Sequence, residues 1–132
     1  MNTDTEICCL MVIFGGTGDL TYRKLMPALY NLAYGGMLPQ DFAVISVGRR
    51  DMDDARYRDS VYEAISRFSR FNVDNNIWEG IKDRIYYQRF DFSDDEGYSK
   101  LDKFLKSLDE KYNAKGNRVY YLAVAPEYFG VI

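Results

Sequence analysis

The sequence predicts an α/β fold: a doubly wound, mainly parallel sheet with its elements in the order βαβαβαβ. Two observations indicate it: short apolar runs alternate with longer helical patterns, and most of the connections between them are short. A third is a glycine cluster, Gly15, Gly16 and Gly18, between the first strand and the first helix. Right-handed crossovers between parallel strands then determine most of the topology.

The four predicted strands are short runs rich in apolar, β-branched or aromatic residues, and the run from Phe42 to Val47 is typical of a buried parallel strand. They cover Cys8 to Phe14, Phe42 to Val47, Arg84 to Phe92 and Val119 to Val124. Cys8 and Cys9 are neighbours in the first strand and should point to opposite faces, so we expect two free thiols.

Three helices are predicted from apolar residues that recur at helical spacing. Their apolar positions are Leu20, Leu25, Leu29 and Leu32 in a helix from about Gly18 to Tyr34; Tyr57, Val61, Ile65 and Phe68; and Tyr98, Leu101, Phe104, Leu105, Leu108 and Tyr112. Pro27 lies within the first helix and should kink it mildly. The polar segment Asn72 to Asp83, with Ile77, Trp78 and Ile81, predicts either a short helix or a packed loop.

Composition excludes several classes of function. The 132 residues amount to one domain, and the net charge of −3, with basic residues in pairs at most, argues against a nucleic-acid partner. No apolar stretch is long enough for a membrane span, and the polar, acidic start differs from a signal peptide. The sequence contains no histidine, so no metal site is expected and the commonest general base is missing. We expect a cytoplasmic protein.

The glycine cluster predicts an anion site. A tight turn from strand to helix leaves unpaired N–H groups and the positive end of the helix dipole above the sheet, where a dinucleotide pyrophosphate binds in Rossmann-type folds. A turn without any ligand is the alternative, because the spacing departs from G-x-G-x-x-G. Gly15 and Gly18 fit G-x-x-G-x-x-G/A, and Thr21 takes the third place, where its Cβ would separate helix and strand slightly.

Two arginines, Arg49 and Arg50, follow the second strand. NAD-binding domains of this fold have a carboxylate at this place that binds the ribose hydroxyls. A guanidinium instead favours the 2′-phosphate of NADP through paired hydrogen bonds. An exposed surface pair is the alternative interpretation. Asp51 follows closely and would weaken the preference, so use of both NADP and NAD is left open.

Ligands of such sheets collect at the carboxyl ends of the strands. This rule selects four chemically distinctive segments, Gly15 to Leu20, Gly48 to Asp51, Asp91 to Ser93 and Ala123 to Pro126. Their coincidence with the strand ends supports a dinucleotide site.

Three strings carry a resemblance to a known family: Phe14-Gly15-Gly16-Thr17-Gly18-Asp19-Leu20 with Arg23-Lys24-Leu25 and Pro27; Val47-Gly48-Arg49; and Asn117-Arg118-Val119-Tyr120-Tyr121-Leu122-Ala123 with Pro126. They are similar to the amino-terminal part of the glucose-6-phosphate dehydrogenases. The resemblance implies oxidation of glucose 6-phosphate at C1 to 6-phosphoglucono-lactone, with hydride transfer to NADP, in the oxidative pentose phosphate pathway.

The resemblance also implies roles for individual residues. Gly15, Gly16, Thr17, Gly18, Asp19 and Leu20 would bind the pyrophosphate, and Arg49 the 2′-phosphate. Lys24 would lie near the nicotinamide and the sugar phosphate, Asp91 and Phe92 near the adenosine, and Ala123, Ala125 and Pro126 beneath the nicotinamide ribose. Ala125 replaces a frequent proline and Phe129 a common tyrosine, so the nicotinamide end departs most from the family pattern.

The resemblance covers only the early part of the family's polypeptide. Residues 1–132 are therefore expected to be an incomplete NADP-binding domain, with the sheet unfinished and the substrate domain, including the histidine base, beyond Ile132. We expect this piece to be inactive alone and the whole enzyme to be a homo-oligomer. The alternatives are a nucleotide-binding regulatory module, or another NADP-linked oxidoreductase such as a short-chain reductase. No Tyr-x-x-x-Lys pair supports the latter.

Overall fold

The strands form one parallel sheet, as predicted. In this computed structural model, which describes residues 10–37, 42–69, 72–91, 93–112 and 118–123, the sheet has the strand order β3-β2-β1-β4. The strands are β1 Leu10–Phe14, β2 Ala43–Gly48, β3 Ile85–Arg89 and β4 Arg118–Leu122. Each neighbouring pair is parallel, so the carboxyl ends of all four strands meet at one edge. Cys8 and Cys9 lie outside the described residues.

The strand ends are in register at this edge. Phe14 of β1 lies opposite Val47 of β2 and Leu122 of β4, and Gly48 lies opposite Arg89 of β3. β3 is shorter than predicted because its partner β2 stops at Gly48. The N–H of Phe90 makes the last bond between them, 3.0 Å from the Gly48 carbonyl oxygen.

Helices pack against both faces of the sheet over β1, β2 and β3, whereas the apolar side chains of β4 are exposed. The face that we call the α2 face packs against α1 Met26–Tyr34, α2 Asp54–Phe68 and α3 Asn75–Lys82. The opposite face, called the α4 face, packs against α4 Asp95–Tyr112. Successive strand residues point to opposite faces, so Tyr86 is buried on the α4 face and Tyr87 on the α2 face.

The first helix differs from the prediction. Residues Thr21–Leu25 form a π-helical segment, in which the Met26 N–H bonds to the Thr21 carbonyl, and α1 follows it. The chain is helical from Asp19 to Tyr34, so Pro27 lies about two turns from the start of the helix, as predicted, directly after the π segment and in the first turn of α1.

The wider turn also changes which side chains of this helix are buried. Leu20 and Leu32, predicted on the apolar face, are both 42% exposed, whereas Met26 and Tyr30 are buried. Each i→i+5 bond inserts one residue into the helical repeat, so a 3.6-residue pattern loses its register across the π segment. The predicted apolar face was therefore wrong at both of its ends.

The other helices follow the pattern more closely. The alternative left open for Asn72 to Asp83 is resolved as the helix α3, which begins after Asp74, whose carboxylate accepts a hydrogen bond from the Asn76 N–H at 2.9 Å. In α2, Phe68 is 38% exposed instead of buried; it is the last residue of the helix, and the Arg23 and Arg67 guanidiniums lie over its ring. The predicted apolar face of α4 is confirmed.

Candidate functional site

Some N–H groups of the glycine turn already donate hydrogen bonds to backbone carbonyls. Gly15, at φ +94°, and Gly16 both donate their N–H groups to the Val47 carbonyl at 2.9 Å. Gly18 donates to the Gly15 carbonyl, also at 2.9 Å. Within the described part of the chain, the N–H groups of Thr17, Asp19 and Leu20 have no acceptor. These amides, at the start of a helix, can receive an anion.

Gly16 is required for the close approach of the turn to β2. A Cβ at this position would lie 2.4 Å from the Cβ of Ser46, far inside van der Waals contact. Thr21, predicted to occupy the third glycine position, is fully buried and donates its hydroxyl to the Gly15 carbonyl at 2.8 Å. The threonine therefore stabilises the turn, a role that the spacing alone did not reveal.

The end of β2 brings the glycine turn next to the arginine pair. A Cβ on Gly48 would lie 3.2 Å from the Thr17 hydroxyl oxygen, so Thr17 of the turn is close to the residue just before Arg49. Arg49 and Arg50 are exposed, and among the described residues neither forms a salt bridge. Both guanidiniums are thus available to an anionic ligand.

Side chains of β3 hold the backbone of the arginine pair. The Tyr87 hydroxyl donates to the Arg50 carbonyl at 2.8 Å. Arg89 Nε donates to the Arg49 carbonyl at 3.2 Å. The two residues are two positions apart in β3 and therefore lie on one face of the strand.

Asp91 lies beyond the end of β3, on the side predicted for the adenosine. Its carboxylate accepts hydrogen bonds from the Ser93 N–H at 3.0 Å and from the Ser93 hydroxyl at 2.8 Å. These bonds, and secondarily the positive charge of Arg49, hold the pKa of the Asp91 carboxyl below its usual value. Asp91 is therefore ionised at neutral pH. Phe92 lies outside the described residues.

The end of β4 completes the edge. The Ala123 N–H donates to the Phe14 carbonyl at 2.8 Å, and a Cβ on Gly18 would lie 3.7 Å from the Ala123 carbonyl oxygen. Ala123 is thus adjacent to the glycine turn, whereas Ala125 and Pro126 lie outside the described residues. Lys24 is exposed on the π-helical segment that follows the turn.

Two residues that the sequence analysis did not single out for the site, Tyr57 and Ser46, lie under it. The Tyr57 hydroxyl is 2.7 Å from both the Gly16 carbonyl oxygen and Ser46 Oγ. Burial raises the pKa of the Tyr57 phenol, so the group stays neutral and donates. Tyr57 had been assigned to an apolar helix face. The only sequence signal was Ser46, a polar residue inside an otherwise apolar strand.

The edge is therefore suited to binding a phosphate-rich ligand along the strand ends. In the described ranges, no three His, Cys, Asp or Glu side chains come together to hold a metal ion. No helix among the same residues combines the length and apolar character of a membrane span.

Relatives share most of this chain. One from Chlamydia muridarum, named glucose-6-phosphate 1-dehydrogenase, is 48% identical over 122 residues, which are 92% of this chain and 24% of that protein. One of the same name from Bacillus subtilis is 36% identical over 132 residues, 100% of this chain and 26% of that protein. The chain thus spans about a quarter of the length of these relatives.

Solved structures agree with the fold. Glucose-6-phosphate 1-dehydrogenase from Mycobacterium avium matches with a TM-score of 0.81 at 28% identity, over 94% of this chain and 25% of that one. A glucose-6-phosphate dehydrogenase in complex with its substrate glucose 6-phosphate matches with a TM-score of 0.82 at 25% identity, over 96% and 26%. The family model described as the NAD binding domain of glucose-6-phosphate dehydrogenase covers residues 12–132. The chain belongs to this family of nicotinamide-coenzyme-binding domains, and the resemblance found in the sequence is confirmed.

Proposed function

We propose that this chain is the coenzyme-binding part of a glucose-6-phosphate dehydrogenase that prefers NADP. The complete enzyme would oxidise C1 of glucose 6-phosphate to 6-phosphoglucono-lactone and pass the hydride to the nicotinamide. One observation carries the proposal for this chain: the glycine turn lies beside the end of β2 that leads into the arginine pair, because the N–H groups of Gly15 and Gly16 both donate to the Val47 carbonyl. Two phosphate subsites of one dinucleotide need this proximity.

The glycine turn would bind the pyrophosphate through the backbone N–H groups of its non-glycine residues. Gly15, Gly16 and Gly18 shape the turn, and their N–H groups already donate to backbone carbonyls, those of Gly15 and Gly16 to Val47 of β2 and that of Gly18 to Gly15. The N–H groups of Thr17, Asp19 and Leu20 would then donate to the phosphate oxygens, with the positive end of the helix dipole behind them.

Arg49 would bind the 2′-phosphate of the adenosine ribose. Its exposed guanidinium lies where NAD-binding domains have a carboxylate, which would repel a phosphate. Arg50 is the second candidate because Tyr87 holds its backbone at the same edge. Asp91, ionised and electrostatically coupled to Arg49, would lie on the adenosine side together with Phe92.

The nicotinamide end would be formed by Lys24, Ala123, Ala125 and Pro126. The bound coenzyme supplies the hydride acceptor, whereas this chain orients it and excludes water. No histidine is present in these 132 residues, so the base that takes the C1 hydroxyl proton would come from elsewhere in the enzyme. We therefore propose that this chain alone does not turn over. The whole enzyme would be a cytoplasmic homo-oligomer of the pentose phosphate pathway.

Arg49→Ala in the full-length protein tests the coenzyme assignment. Loss of a charge-assisted contact worth about 1.5–3 kcal/mol should weaken NADP binding by roughly ten- to a hundredfold, with little change for NAD. Arg56→Ala, an exposed arginine of α2, is the matched control and should change neither. Equal losses for both coenzymes would show that Arg49 does not bind the 2′-phosphate.

The substrate assignment has a separate test in the same full-length protein. NADP should be reduced with glucose 6-phosphate and much less with other hexose phosphates. Reduction with another hexose phosphate, and none with glucose 6-phosphate, would overturn the proposed activity while leaving the coenzyme assignment standing.

A further inference from the structure

Two buried tyrosines connect the glycine turn to the arginine pair. The rings of Tyr57, from α2, and Tyr87, from β3, stack with centroids 4.8 Å apart and planes 22° from parallel. Tyr57 is fully buried and Tyr87 is 5% exposed. Their hydroxyls reach two different segments of backbone at the carboxyl edge of the sheet: Tyr57 the Gly16 carbonyl, at 2.7 Å, and Tyr87 the Arg50 carbonyl, at 2.8 Å.

The hydrogen-bond directions follow from the acceptors. A carbonyl oxygen can only accept, so Tyr57 gives its one hydroxyl proton to Gly16. Ser46, 2.7 Å away, must then donate its own proton to the Tyr57 oxygen. Burial raises the pKa of both phenols, that of Tyr87 to about 12, so both remain protonated donors at neutral pH.

The glycines beside these hydroxyls leave room for nothing larger. A Cβ on Gly16 would lie 3.1 Å from the Tyr57 hydroxyl oxygen, and a Cβ on Gly48 would lie 2.8 Å from the Tyr87 hydroxyl oxygen. A side chain at either glycine would therefore collide with the hydroxyl that holds the neighbouring backbone.

We propose that the stacked pair Tyr57 and Tyr87, called the tyrosine strut, sets the distance between the pyrophosphate turn and the arginines that bind the 2′-phosphate. Both are positioning residues: neither touches the coenzyme, and each acts through the backbone that its hydroxyl holds. Tyr57 supports the subsite that NADP and NAD share, whereas Tyr87 supports the one that only NADP uses. This inference rests on the proposed function.

A purely structural role predicts a different result, and the chain offers matched controls. Tyr30 is fully buried in the same core cluster, and its hydroxyl accepts from the Asp74 N–H at 2.6 Å, away from the coenzyme edge. Tyr86 precedes Tyr87 but lies on the α4 face, where its hydroxyl is 2.7 Å from that of Tyr112. Loss of either hydroxyl should lower stability without changing coenzyme selectivity.

The experiment measures KM and kcat for NADP and for NAD in the full-length protein, at saturating glucose 6-phosphate, with direct binding of each coenzyme by calorimetry. Tyr87→Phe should lower the affinity for NADP about three- to tenfold and leave the affinity for NAD unchanged, since one neutral hydrogen bond positions the arginine backbone. Tyr57→Phe should lower the affinities for NADP and for NAD by similar factors. Tyr30→Phe and Tyr86→Phe should leave the ratio of the two affinities unchanged.

An unchanged affinity ratio in Tyr87→Phe, or an equal change in Tyr86→Phe, would overturn the strut. If Tyr57→Phe fails to fold, Tyr87→Phe alone decides, because the hydroxyl that it removes from Tyr87 holds only an exposed loop.

Arg49→Ala, measured in parallel, separates the two proposals. Selectivity lost in Arg49→Ala but kept in Tyr87→Phe leaves the proposed function standing without the strut. Selectivity lost in Tyr87→Phe but kept in Arg49→Ala leaves the strut standing, with Arg50 as the phosphate ligand.

Discussion

Tyr86 and Tyr87 are neighbours in β3, yet their hydroxyls serve different purposes on the two faces of the sheet. On the α4 face, the Tyr86 hydroxyl pairs with that of Tyr112 at 2.7 Å and accepts from Lys111 Nζ at 3.2 Å. On the α2 face, the Tyr87 hydroxyl holds the backbone of Arg50. The Tyr86 hydroxyl on the α4 face thus bonds to other side chains, whereas the Tyr87 hydroxyl on the α2 face bonds to backbone at the carboxyl edge of the sheet.

The two faces should therefore differ in how closely stability and coenzyme binding are linked. The α4 face is mainly an apolar core, with a partly buried ion pair between Arg118 of β4 and Asp109 of α4. Asp109 Oδ1 and Arg118 Nε have no hydrogen-bond partner among the described residues. We expect a defect on this face to cost stability alone. The α2 face carries the supports of the glycine turn and of the arginine pair, so a defect there should change coenzyme binding as well. Substitutions on the two faces can test this separation.

The largest expected loss of stability is on the α4 face. Leu105 of α4 is 3% exposed in its core cluster, and Leu105→Ala should lower the free energy of unfolding by about 2–5 kcal/mol through lost burial and a cavity. Denaturant unfolding of the full-length protein would measure the loss. The ratio of NADP to NAD affinity should stay constant under conditions where the variant is folded; a changed ratio would contradict the separation of the faces.

Gly16→Ala should lower both the stability of the protein and its affinity for the coenzymes. Its Cβ would press on Ser46, 2.4 Å away, so the turn must shift, at a cost of about 1–3 kcal/mol in unfolding free energy. The same shift should weaken the binding of both coenzymes, because it moves the amides proposed to bind the pyrophosphate that NADP and NAD share. Calorimetric titration and denaturant unfolding would measure the two effects.

Gly80→Ala is the matched control for Gly16→Ala. Gly80 lies in α3 with nothing within 4 Å of a Cβ, so alanine should raise stability by about 1 kcal/mol or less through helix propensity, with coenzyme affinity unchanged. Weaker coenzyme binding in this variant would mean that any glycine change affects the site.

The smallest expected effect is a pH dependence in the alkaline range. Burial raises the pKa of Tyr87 and of Tyr112 to about 12, above the ordinary value of about 10. The folded state holds these protons more tightly, so their stabilising contribution is complete below about pH 10 and is lost as the pH rises through about 12. Unfolding free energies measured across this range should fall.

Tyr112→Phe sharpens the same comparison. The variant removes from the α4 face one of the two phenols whose pKa is raised, so the fall in stability at alkaline pH should become shallower. Selectivity between the coenzymes at neutral pH should not change. An alkaline profile identical to that of the unaltered protein would show that Tyr112 does not contribute to it.

Local patterns determined most of the fold from the sequence. Alternating strand and helix periods predict parallel strands with helices on both sides, and the structure has this arrangement. The strand-end rule placed the glycine turn, Arg49 and Ala123 at one edge, where they lie. These predictions succeed because periodicity, glycine dihedrals and parallel pairing depend on neighbouring residues and on general rules of chain topology.

Which backbone groups at that edge are free, and which side chains support them, depends on contacts between segments that are distant in the sequence. The π segment before Pro27 changed which residues of the first helix are buried. The Val47 carbonyl takes the N–H groups of Gly15 and Gly16, and the hydroxyls of Tyr57 and Tyr87 hold segments 41 and 37 positions away along the chain. A tyrosine at a helical apolar position predicts burial, but the partner of its hydroxyl depends on what a distant segment presents. That partner exists only once the sheet has assembled.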